Sequence, residues 1–327
     1  MMRRFTMSMS GCAVAMGIIA AQTVAVASAA PPPAVISLVP TADAPTFRTV
    51  VDVRRYAVDH PDARPAGANK WSCRPTPRHP RPVFLLHGTD SSAYADFSQI
   101  SPLLAGQGFC VFAINYGGAA GATTFGTQDI RAGAPAVREF VDRVRASTAA
   151  AAVDVVGYSQ GATVARYVVD KLRAAPVVAH WVGLAPPSHG STFYGLGLLT
   201  RIPGVSGLVS PKPVNESMLQ QVAGSDFLRD LNSPTETVRG VRYLTVRTAV
   251  DEVIQPSSSG ILHGPDARDV LVQDRCPVDL TGHFRMPYDA VAQNLLLEEL
   301  GGTPVAGACR PVALGTGIAD VILNARR

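Results

Sequence analysis

A short strand pattern, Val153–Val156, runs directly into Gly157-Tyr158-Ser159-Gln160-Gly161, and Ala162, Ala165, Val169 and Leu172 follow at the spacing of one helix face. A strand that turns sharply into a helix around a serine presents that hydroxyl at the carboxyl end of a sheet. The flanking glycines are needed because so tight a turn leaves no room for a Cβ. As a bare pattern G-x-S-x-G is weak in a chain with 29 glycines, and the plain alternative is an ordinary Gly-Ser turn. Its placement between a strand and a helix favours a nucleophile at Ser159.

The surrounding sequence repeats the same strand-turn-helix alternation. Val83–Leu86, Phe109–Ile114, Val177–Leu184, Val241–Val246 and Asp269–Val272 read as further strands, and Tyr288–Leu300 as a closing helix. Ile130, Ala134, Val137, Val141 and Val144 recur at helical spacing, with Pro135 disturbing the first turns. Such alternation specifies an α/β domain with a mostly parallel central sheet flanked by helices. We place this domain at residues 83–327, with 186–240, rich in Gly, Pro and Ser, as a lid-like excursion above the sheet. Residues 30–82 form a Pro-rich N-terminal segment in which Phe47–Val53 alternates like an edge strand.

A serine needs a histidine to take its proton and a carboxylate to orient that histidine. In this kind of sheet the chain order is Ser, acid, His, each after a successive strand. Asp251 follows Val241–Val246, with Glu252 as the lesser alternative, and His283 follows Asp269–Val272. The bland readings are a solvated turn for Asp251 and a helix cap for His283. His263 precedes the last strand and would sit at the wrong edge of the sheet; His189 precedes the acid and breaks the order. Negative charge on a carbonyl oxygen needs backbone donors, for which the N–H of Gln160 and that of Thr89, in the loop His87-Gly88-Thr89-Asp90, are expected.

Arg3 and Arg4 precede a small, apolar stretch that ends in Ala27-Ser28-Ala29, the pattern of a cleaved secretory signal over residues 1–29. Its loss takes the bases from 29 to 27 against 25 acids and leaves four of the five cysteines. The expectation is a secreted, extracellular chain without a transmembrane anchor. With 47% hydrophobic and 17% charged residues, a large core is favoured, and disorder and a nucleic-acid partner are not. No His-x-x-x-His or Cys-x-x-Cys spacing, P-loop or dinucleotide fingerprint is present, so no metal and no cofactor are implied.

His87-Gly88-Thr89, Gly157–Gly161, the run Asp251-Glu252-Val253-Ile254-Gln255-Pro256, Cys276-Pro277 and His283 resemble the secreted bacterial, particularly actinobacterial, triacylglycerol lipases and esterases of the α/β-hydrolase superfamily. The likeness covers roughly residues 80–300. The Asp251–Pro256 run and the Ser-Gln pair also resemble fungal lipase B, where the matching Asp is the triad acid and the matching Gln and Thr are oxyanion donors; this favours Asp251 over Glu252. The string Gly-Tyr-Ser-Gln-Gly-Ala is similar to cutinases, which lack a comparable His-Gly loop. Cys73, Cys110, Cys276 and Cys309 allow three pairings, with free thiols the alternative. The local choice is 73–110 and 276–309, and the resemblance supports the first pair.

The resemblance implies a monomeric carboxylester hydrolase acting on lipid or small esters, at an oil-water interface if the apolar residues between Phe193 and Val209 wall the cleft. An acyltransferase or a polyester or cutin-type hydrolase could use the same residues, and a hydrolase-fold binding protein would lack part of them.

Overall fold

The computed structural model describes residues 34–47, 49–192 and 215–318, all within one compact unit. Seven strands form a single sheet: β1 (Ile36–Leu38), β4 (Val83–Leu86), β5 (Val111–Gly118), β6 (Val153–Tyr158), β7 (Val178–Leu184), β8 (Arg242–Arg247) and β9 (Ala267–Leu271). Their order is β1-β5-β4-β6-β7-β8-β9, parallel throughout except for β1, which pairs antiparallel with β5. A separate two-stranded pair joins β2 (Ala42–Asp43) to β3 (Ala63–Arg64).

Both faces of the central strands are buried, which is why they read as nearly continuous apolar runs. Phe84 and Leu86 of β4 pack with Val137, Val141 and Val144 of α4 (Ile130–Thr148) and with Ala165 and Val169 of α5 (Gln160–Asp170). Val83 and Leu85 face the other way, toward α2 (Ala93–Phe97), α3 (Ile100–Gly106) and Leu295–Leu297 of the closing helix Ala290–Leu300. The alternation of side chains along each strand thus divides the core into two apolar layers with the sheet between them. Helix α4 runs through Pro135, whose missing N–H costs only one bond near the N-terminal end.

One expectation is overturned. Phe47–Val53 is not a strand: Val50–Asp59 is helix α1, capped by Thr49, whose hydroxyl accepts from Asp52 N. Val53 and Ala57, four apart, form its buried stripe, a helical spacing that a seven-residue window confuses with alternation. The edge strand is Ile36–Leu38 instead. Disulfides join Cys73 to Cys110 and Cys276 to Cys309. The first fastens the Pro-rich segment to the entry of β5, and the second closes a loop around His283.

Candidate active site

Ser159 stands between the end of β6 and the start of α5, with φ 51° and ψ −119°. A serine rarely adopts this conformation, and it persists because its surroundings over-determine it. Ser159 N donates to Leu184 O at 2.8 Å and Ser159 O accepts from Ala162 N at 3.0 Å. A Cβ on Gly161 would lie 1.9 Å from the Leu86 carbonyl oxygen, and one on Gly157 would lie 2.3 Å from Ala162 N. Although Ser159 is the N-cap residue of α5, its side chain makes no capping bond. The hydroxyl is left for another partner, His283 Nε2, 3.0 Å away.

Asp251 follows β8 and divides its two oxygens between local and remote tasks. Oδ1 accepts from Val253 N (2.9 Å) and Ile254 N (2.6 Å), which fixes the loop. Oδ2 lies 3.1 Å from His283 Nδ1. A ring nitrogen facing a carboxylate must carry its proton, so Nε2 is left with a lone pair toward the serine hydroxyl. Asp251 and His283 are 2% and 3% exposed, and their charge interactions therefore act with little solvent screening.

Glu252 has a different task from the one considered in the sequence. Its Oε2 accepts from His283 N at 2.6 Å, so the neighbour of Asp251 holds the backbone of the histidine while Asp251 faces the ring. Tyr158, buried beside His283, donates its hydroxyl to His283 O at 3.0 Å. Burial first, and then Asp96, push its phenol well above the ordinary range, so it stays a donor.

The loop after β4 faces the serine from the other side. Thr89 Oγ1 accepts from Gln160 Nε2 at 3.0 Å and lies 3.4 Å from Gln221 Nε2, and Gln160 Nε2 also donates to Gly126 O at 2.9 Å. No described residue takes the backbone N–H of Thr89 or of Gln160. The loop is fixed from below by fully buried Asp96, which accepts from Gly88 N at 2.8 Å, a positioning role that no motif reveals. His87 donates from Nδ1 to Gly88 O (2.7 Å) and accepts from Tyr116 N at Nε2 (3.2 Å). Burial dominates over the Gly88 contact and lowers its pKa, keeping the ring neutral.

Ser159, His283 and Thr89 open onto a cleft of about 340 Å³, whose walls include Met218, Val253, Ile254 and Phe284. Ser191 lines it too. The apolar residues Phe193, Tyr194, Leu196, Leu198, Leu199, Ile202, Val205, Leu208 and Val209 lie outside the described residues.

The rival histidines lie outside the cleft, on Glu236: His189 Nε2 is 2.9 Å from Glu236 Oε1, and His263 Nδ1 is 3.1 Å from Oε2. No spacing motif announces this cluster, because its members stand 47 and 27 residues from Glu236. Beneath the histidine loop, Asp289 accepts from Ala292 N and from Thr281 Oγ1. Burial, with nearby Asp279 adding to it, raises its carboxyl to about 6.

The family model described as lipase (class 2) matches residues 80–291, and no curated protein sequence matches the chain. Among solved structures, Aspergillus fumigatus lipase B is similar at 18% identity and TM-score 0.54 over 74% of this chain. This chain spans only 59% of that longer one. The mature form of Bacillus licheniformis lipase BlEst2 is similar at 16% identity and TM-score 0.50, over 70% of this chain and 95% of that one. These likenesses establish the α/β-hydrolase fold.

Proposed function

We propose that this chain, a member of the class 2 lipase family, is a carboxylic ester hydrolase that cleaves lipid esters through an acyl-serine intermediate formed on Ser159. The reading rests on one observation: an unbroken chain of contacts from Ser159 Oγ to His283 Nε2 (3.0 Å) and from His283 Nδ1 to Asp251 Oδ2 (3.1 Å), opening on an apolar-walled cleft.

In this mechanism Ser159 Oγ attacks the ester carbonyl carbon as its proton passes to His283 Nε2. Asp251 Oδ2 balances the imidazolium through Nδ1–H without taking the proton itself. The developing oxyanion receives the N–H groups of Gln160 and Thr89 at the positive end of α5. The Thr89 hydroxyl, already an acceptor, keeps its own proton to donate as well. His283 then protonates the leaving alcohol, and water repeats the sequence on the acyl-enzyme to release the acid. No step calls on a cofactor.

We further propose that the chain is exported with residues 1–29 removed. The two disulfides suit an oxidising compartment, and no helix among the described residues is long and apolar enough to cross a membrane.

The test is Ser159→Ala, assayed on a chain-length series of nitrophenyl esters and on emulsified triacylglycerols. Hydrolysis should fall by roughly 10⁶-fold in kcat, with the melting temperature close to that of the parent. A fluorophosphonate should label Ser159 alone in the parent protein. Retained turnover, or a label on another serine, overturns the reading.

A further inference from the structure

His189, Glu236 and His263 bring three ligand atoms to within 4.8 Å of one another, and none of the three lines the catalytic cleft. They come from separate segments: the loop after β7, the stretch before β8, and the end of the loop that starts at Asp251. His189 has an acceptor oxygen at each of its ring nitrogens. Its Nδ1 faces the carbonyl oxygen of Ser259 at 3.1 Å and its Nε2 faces Glu236 Oε1 at 2.9 Å.

Both of those oxygens are acceptors, and a neutral imidazole has only one N–H to offer. Either tautomer therefore leaves one ring lone pair facing an acceptor oxygen; we take the proton on Nδ1, donated to Ser259 O. The Nε2 lone pair then points at a carboxylate, a repulsive contact unless a positive centre lies between them: a second proton or a metal ion. His263 presents its own ring to the other oxygen of the same carboxylate, Nδ1 at 3.1 Å from Oε2. A single cation would serve both imidazoles at once.

We propose that His189, Glu236 and His263 form a binding site for a zinc-like divalent transition-metal ion, separate from the catalytic residues. Two imidazole nitrogens, one carboxylate and a water make a tetrahedral set that such ions prefer. Tetrahedral ligands at zinc distances stand about 3.3 Å apart, so His189 Nε2 and Glu236 Oε1 are already near the required spacing. The contact of His189 Nδ1 with Ser259 O is the outer hydrogen bond that fixes the tautomer of a metal-bound histidine. His263, with a side chain 74% exposed, can turn to complete the set, and Glu236 and His263 line a surface groove through which an ion and its water can enter. The Arg166 guanidinium donates to Glu236 O (3.0 Å) and Asn232 Oδ1 (2.8 Å), the backbone oxygen of Glu236 and not its carboxylate.

The ion's effect follows from what the three segments touch. His189 N donates to Ser259 O at 2.8 Å, Ser259 Oγ donates to Gly190 O at 2.7 Å, and Thr192 N donates to Gln255 O at 2.9 Å. Metal binding would therefore clamp the segment running from Asp251 to His263 against the loop after β7. It stabilises the fold without entering the reaction.

The experiment is equilibrium dialysis of the metal-stripped mature protein against zinc at pH 7.5, with cobalt as a spectroscopic probe and melting temperature read in parallel. One zinc per chain should bind, cobalt should give the intense visible band of a tetrahedral site, and saturating zinc should raise the melting temperature by about 4 °C. His263→Ala, at an exposed position, and Glu236→Gln should each lower zinc affinity at least tenfold and abolish the shift. His60→Ala, an exposed histidine elsewhere, should change neither. Absence of binding by the parent at millimolar zinc overturns the site, as does one bound zinc that survives unchanged in both variants.

Discussion

Ser159 is held by backbone contacts from its own turn and from the sheet strands beside it, whereas His283 is held by side chains of another loop. The serine turn is locked by Leu184 O, by Ala162 N and by the closeness of Leu86 to Gly161. The histidine depends on Asp251 for its ring and Glu252 for its backbone, reached across two loops and inside a disulfide loop. A nucleophile carried on a rigid element tolerates little change and needs little support. A base carried on a loop is only as well placed as the contacts that orient it.

The strongest test of this contrast is Asp251→Asn. Asn can still accept the Val253 and Ile254 amides at Oδ1, so the fold should survive, but it cannot hold the same tautomer of His283. Turnover of a soluble ester should fall by about 10⁴-fold; a loss under tenfold would show that the ring is oriented by something else. Next comes Glu252→Ala, which removes the acceptor of His283 N while leaving every reacting group in place. We expect kcat to drop by roughly 10–100-fold with KM nearly unchanged, and Glu252→Gln to recover part of it. If Glu252→Ala instead raises KM alone, the residue belongs to the cleft wall and not to the histidine.

The disulfides sharpen the comparison at the level of stability. Replacing either pair by serines should cost about 2–4 kcal/mol, seen as a drop of about 5 °C or more in melting temperature. Only the Cys276→Ser/Cys309→Ser variant should also lose activity below its melting point, because its loop contains His283. Equal activity losses in the two variants would remove the distinction between the serine side and the histidine side.

The smallest effect concerns Asp289 beneath the histidine loop. Its carboxyl, raised to about 6 in the folded protein, keeps its proton where the unfolded chain, with an ordinary value near 4, has released it. The group therefore weakens the fold above about pH 6, and the penalty fades as pH falls toward about 4. Asp289→Asn keeps the helix cap and removes the ionisation. Its melting temperature should exceed the parent's by a few degrees at pH 8 and match it near pH 4, as followed by circular dichroism.

Much of the fold was legible because it depends on local pattern. The strands of the central sheet carry apolar runs imposed by burial on both faces, and the serine turn carries glycines that the close packing of Leu86 and Ala162 demands. The Phe47–Val53 segment was misread because helical and alternating spacings coincide over so few residues, and the Thr49 cap outweighed the alternation. Asp251 and His283 could be named from chain order and resemblance, yet nothing in their local sequence states a distance between them.

What the sequence determined by itself was the class of architecture and the residue types able to attack an ester, since strand burial and a two-glycine turn are local requirements written in adjacent residues. Tertiary structure alone decided the division of labour between Asp251 and Glu252, the support of Gly88 by Asp96, and the meeting of His189, Glu236 and His263. Each of these depends on side chains brought together from distant segments, and a hydrogen bond or a metal site constrains positions in space without requiring any fixed spacing along the chain.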